Sequence, residues 1–101
     1  MKINGLKKTV SELRKCPSGW GLLIGYNAKT NQLFTSDICR RNADWMNLLD
    51  YEFSLGYFAG DCPVTMQELA DRVYDKLDYY HSLSLHNERG QWADKALIRI
   101  S

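Results

Sequence analysis

The amino-acid sequence predicts an α+β domain: a small antiparallel sheet of about four strands, one long helix on one face, and elements in the order α-β-β-β-α-β. Three observations carry that expectation. Residues 20 to 26 alternate large apolar and other side chains, run into a turn-rich stretch and return as a second β-favouring run, the pattern of a hairpin. Residues 65 to 80 open on a capping box and keep their apolar side chains on one helical face. The chain has 101 residues, 45% hydrophobic and 25% charged, enough apolar surface for one core and too little for two; residues 1 to 101 therefore read as a single globular domain.

The first element follows from Thr9-Val10-Ser11-Glu12, which fits a capping box, with Leu6, Val10 and Leu13 as a short apolar stripe. Pro17 disfavours helix at the residue before it, so a helix of about two turns ends near Cys16. Trp20, Leu22, Ile24 and Tyr26 then share one face of a strand, and Gly21 and Gly25 lie on the other, where a missing side chain admits a close neighbour. Asn27 to Asn31 supplies the turn, and Leu33 to Ile38 returns as the second strand.

Cys39 to Asp44 is a polar connection, and Trp45 to Leu49 fits a helical turn and an extended run equally well. Tyr51 to Phe58 alternates as a third strand, with Phe53, Leu55 and Tyr57 on one face. After the loop Ala59 to Pro63 comes the long helix, Thr65 to about Tyr80, with Thr65-Met66-Gln67-Glu68 as capping box and Val64 and Leu69 as hydrophobic staple. Its apolar face is Leu69, Ala70, Val73, Tyr74, Leu77 and Tyr80, and its polar face is Glu68, Asp71, Arg72, Asp75, Lys76 and Asp78. Residues 81 to 91 read as polar, with a turn at Gly90, and Lys95 to Ile100 as a fourth strand presenting Ala96, Ile98 and Ile100 together. Such a terminal strand could pair with a second copy, which makes a homodimer one possible assembly.

Function classes narrow by elimination. Residues 1 to 8 carry no apolar stretch of the signal-peptide kind, and no run reaches the ~18 apolar residues of a membrane span, so a cytoplasmic location and no membrane partner are expected. Cys16, Cys39 and Cys62 are odd in number and widely spaced, unlike a disulfide framework or paired zinc ligands. There is no glycine-rich phosphate loop either, so no metal and no cofactor is expected. Cys62, ahead of a helix N-terminus, with His81 or His86 as base, sketches a cysteine-dependent enzyme; the plainer roles are structural thiols and a helix-terminal His81.

The net charge of +1 hides a division along the chain. Residues 1 to 41 hold eight basic and two acidic groups, a balance of +6, whereas residues 42 to 101 hold five basic and ten acidic groups, a balance of −5. The acidic portion interleaves aromatics, and Asp44, Trp45, Asp50, Tyr51, Glu52, Glu68, Asp71, Asp75, Asp78 and Tyr79 together suggest a docking face for a protein with a basic surface. In size and charge alone the chain resembles the accessory and inhibitor proteins of phages and mobile elements. That resemblance implies an anti-defence role: a non-enzymatic module that blocks a nucleic-acid-handling host protein in its basic groove. The alternative is nucleic-acid binding through Lys7, Lys8, Arg14, Lys15, Arg40 and Arg41.

Overall fold

The computed structural model describes residues 3–44, 47–62, 64–83 and 88–100. Its elements are α1 (Leu6–Arg14), β1 (Gly21–Asn27), β2 (Gln32–Thr35), β3 (Glu52–Ala59), α2 (Met66–Ser82) and α3 (Glu88–Ile100). The strands form one antiparallel sheet in the order β2-β1-β3. The class is α+β, but the order is α-β-β-β-α-α, and the sheet among the described residues has three strands rather than about four.

The hairpin forms for local reasons. The Asn27 side-chain carbonyl accepts from the amides of Lys29 and Thr30, and Asn31 takes the left-handed conformation that closes the turn. Tyr26 pairs with Leu33 across it, and the Tyr26 hydroxyl donates to the Asn31 side chain at 2.7 Å. Burial pushes this phenol up to about 12. β2 is shorter than expected and ends at Thr35, where the Leu23 amide turns to the Ser36 side chain instead of its main chain. Ser36 still exchanges hydrogen bonds with Leu23, Ile38 is exposed, and Cys39 pairs back onto Gly21.

Leu22, Ile24 and Tyr26 of β1, Leu33 of β2 and Phe53, Leu55 and Phe58 of β3 join one buried cluster with residues of all three helices. The helices therefore cover one face of the sheet, with α2 touching α1, α3 and β3. The glycines of β1 are required by close approach: a Cβ on Gly25 would run into the Phe34 ring, and one on Gly21 into the Phe58 carbonyl.

Three expectations need correction. Tyr57 does not share a face with Phe53 and Leu55. The register against β1 shifts at Ile24/Gly25, so that Leu55 and Gly56 both lie opposite one stretch of β1, and Gly56 takes φ 118°. Beyond this bulge the faces exchange: Phe58 enters the core, and the Tyr57 hydroxyl donates to the Cys39 carbonyl instead.

Next, α1 begins a turn before Thr9. Gly5 caps it in the left-handed conformation, because Asn4 is held by backbone bonds to Asn31 and Leu33, and Thr9 is buried within the helix.

Last, residues 95 to 100 belong to α3. Ala93, Ala96 and Ile100 are buried at helical spacing with Trp92 and Leu97 beside them, whereas Ile98 is 78% exposed. Gly90 lies inside this helix rather than in a turn, and no terminal strand exists there to pair with a second copy.

Candidate functional site

α2 is specified as the sequence implies. The Thr65 hydroxyl accepts from the Glu68 amide at 3.1 Å and lies 3.3 Å from its carboxylate, while Val64 and Leu69 are both buried. Leu69, Ala70, Val73 and Leu77 fix the inward face. Glu68, Asp71, Asp75 and Asp78, at steps of three and four, consequently form one exposed stripe about 15 Å long.

Among the described residues no cation forms an ion pair with this stripe. Asp71 accepts from the Gln67 amide at 2.9 Å. Arg72 is turned aside, its guanidinium 5.3 Å from the centre of the Phe58 ring. Tyr79, 56% exposed, stands at the end of the stripe and packs edge-on against Tyr80, which in turn meets Phe53. Leu55, Arg72, Asp75, Lys76 and Tyr79 line a shallow recess where α2 passes the outer strand β3.

The acidic residues from the other segment are placed at the start of β3 and have partners there. Asp50 is hydrogen-bonded to Glu88, whose carboxyl is raised above its usual range first by that bond and then by the repulsion of the Asp50 charge. The Glu52 carboxylate accepts from the Leu49 amide at 3.0 Å, and its main-chain carbonyl accepts from Arg89. Tyr51 is half-buried, edge-on to Trp92 with Lys29 over its ring. Asp44 is exposed, and Trp45 lies outside the described residues. The structure thus gathers Glu68, Asp71, Asp75, Asp78 and Tyr79 on one surface and engages Asp50, Tyr51 and Glu52 in docking α3.

The basic residues divide. Lys7, Arg14 and Lys15 line a cleft between α1 and the start of α2 together with Val10, Ser11, Thr65 and Met66. Lys8 is on the side of α1 that faces β2. Arg40 lies over the Trp20 ring at 4.8 Å and Arg41 over the Tyr57 ring at 5.5 Å. The cations are evident in the sequence, whereas the cleft they line is not. Its signal was the stripe Lys7, Ser11, Arg14, Lys15, legible only once α1 starts at Leu6.

The cysteine-based arrangement does not assemble around His81. Cys62 precedes α2 and His81 occupies its last turn, so a helix of about 25 Å separates them, and His81 is paired with Asp94 of α3. His86 lies outside the described residues. Burial raises the Cys16 thiol, with Cys39 and Glu12 adding to the effect. Among the described residues no three His, Cys, Asp or Glu side chains converge as metal ligands would, and no helix is long and apolar enough to cross a membrane.

No protein-family model matches the chain, and no curated protein or solved structure matches it either.

Proposed function

We propose that the chain is a non-enzymatic protein-binding module whose exposed face of α2 docks on a basic protein surface in the cytoplasm. The supporting observation is the unneutralised stripe Glu68, Asp71, Asp75, Asp78 ending at exposed Tyr79. Like charges three or four residues apart destabilise a helix by a few tenths of a kcal/mol per pair, so a sequence shaped for stability alone would alternate their signs. Arg72 and Lys76 border the recess beside Asp75, yet Arg72 lies on Phe58 and, among the described residues, neither forms an ion pair with the stripe. A basic groove supplies the missing cations, and Tyr79 supplies an amphipathic anchor at the edge of the contact. The size and charge shared with phage and mobile-element inhibitors favour, as partner, a host protein that uses its groove for nucleic acid.

The test is retention of a host protein, in nuclease-treated lysate, by wild type and by a variant carrying Asp71→Lys, Asp75→Lys and Asp78→Lys. The reading requires a nucleic-acid-handling protein that wild type retains and the variant loses, with the circular dichroism of the variant unchanged. Equal retention by both would remove α2 from the interface.

A further inference from the structure

The cleft between α1 and the N-terminal turn of α2 begins where the acidic stripe ends, at Thr65 beside Glu68, and has a different chemistry. Its volume is about 700 Å³, within the several-hundred-Å³ range of small-ligand sites. Its charged lining is wholly cationic: Lys7, Arg14 and Lys15 reach it from one side of α1, with the Ser11 hydroxyl between them. Val10 and Met66 give it an apolar wall, and Met66 is 47% exposed although it is a large hydrophobic side chain.

Of the nearby acids, Glu12 lies 3.5 Å from the Thr35 hydroxyl on the β2 side of α1, whereas Glu68 lies against the hydroxyl of Thr65 and marks the α2 edge of the cleft, across from the cations of α1. Lys15 also borders a neighbouring recess with Glu12 and Asp37, which leaves Lys7 and Arg14 as the cations committed to the cleft. Among the described residues neither takes part in an ion pair.

We propose that this cleft binds a small amphipathic anion, an aromatic or aliphatic body carrying one phosphate, sulfonate or carboxylate group. The anionic group sits between Lys7 and Arg14, where the guanidinium can hold it with two parallel bonds. The body lies against Val10 and Met66, and the apolar area it covers is what separates such a ligand from inorganic phosphate. An extended nucleic acid would need the cations in a continuous track, whereas here Lys8, Arg40 and Arg41 are spread over other surfaces.

The experiment is an amide-resolved NMR titration of the intact chain with naphthyl phosphate, run beside inorganic phosphate, neutral naphthol and a short single-stranded oligonucleotide. Saturable one-to-one binding of naphthyl phosphate is expected, with shifts at Val10, Ser11, Thr65 and Met66. Affinity is expected to be about tenfold above either half-ligand and to fall about tenfold in a Lys7→Gln/Arg14→Gln variant, the scale of one or two lost charged hydrogen bonds. Met66→Ala, at a half-exposed position, should weaken naphthyl phosphate several-fold and leave inorganic phosphate unchanged. Binding that survives the double substitution, shifts on another surface, or naphthol binding as tightly as its phosphate would each overturn the proposal. So would an oligonucleotide that binds where naphthyl phosphate does not.

Discussion

Gly56 decides which side of β3 reaches the core. Its φ of 118° is open to glycine and strained for other residues, and no atom lies where a Cβ would be added, so the cost of substitution is conformational alone. Gly56→Ala is expected to destabilise the fold by about 1–3 kcal/mol, roughly 4–8 °C in melting temperature per kcal/mol. An unchanged melting temperature would mean that the bulge does not hold Phe58 in the core. Period-two alternation gave Phe53 and Leu55 correctly but misplaced Tyr57, since a bulge leaves no mark in apolar spacing beyond a glycine inside a strand. Glu88 illustrates a residue-scale effect of charge. Its carboxyl is raised from 4.5 by the hydrogen bond to Asp50, so the folded state favours the protonated form. The stability this adds is present at low pH and is lost as pH rises through the folded pKa. Replacement by Gln, which cannot ionise, should therefore raise the melting temperature relative to wild type progressively as pH rises above the usual carboxyl value of 4.5 and through the higher folded-state pKa. A difference that stays flat with pH would contradict the pairing.

At the scale of elements, α2 was legible and α3 was not. α2 announces itself through a capping box, a staple and four turns of consistent periodicity, signals that do not depend on tertiary context. α3 carries its buried residues at Ala93, Ala96 and Ile100, a helical spacing that the β-branched pair Ile98 and Ile100 disguises as a short strand. What resolves the ambiguity is packing that no local pattern encodes. Tyr74 donates to the Ile100 carbonyl at 3.0 Å, Arg99 donates to the carbonyls of Ala28 and Lys29, and Trp92 meets Tyr51. The two isoleucines distinguish the readings. Ile100→Ala, at a buried site, should cost about 2–5 kcal/mol, and Ile98→Ala, on the exposed side, less than ~0.5 kcal/mol. Equal losses by chemical denaturation would support a strand in which both share a face.

At the scale of the whole molecule, the charge asymmetry read from the sequence is resolved in space, though not as two simple halves. Of the acidic residues, Glu68, Asp71, Asp75 and Asp78 form an exposed stripe on α2, and Asp50 and Glu52 gather at the start of β3, where they bond to Glu88 of α3 or to the main chain. Of the basic residues, Lys7, Arg14 and Lys15 line a cleft beside α1, Lys8 faces β2, and Lys29, Arg40 and Arg41 lie on Tyr51, Trp20 and Tyr57. Composition could supply the signs of these regions. It could not supply their partition, which depends on the start of α1, on the bulge in β3 and on α3 being a helix. If α2 presents carboxylates without ion-pair partners among the described residues to a basic protein, a binding isotherm with the purified partner will report it. Wild type, the Asp71→Lys/Asp75→Lys/Asp78→Lys variant and a variant with Lys7, Lys8, Arg40 and Arg41 neutralised would be titrated in parallel, each with and without competing nucleic acid. The α2 variant should lose at least about a hundredfold in affinity, the neutralised one should change little, and nucleic acid should displace wild type. Full affinity in the α2 variant together with loss in the neutralised one would contradict an interface on α2.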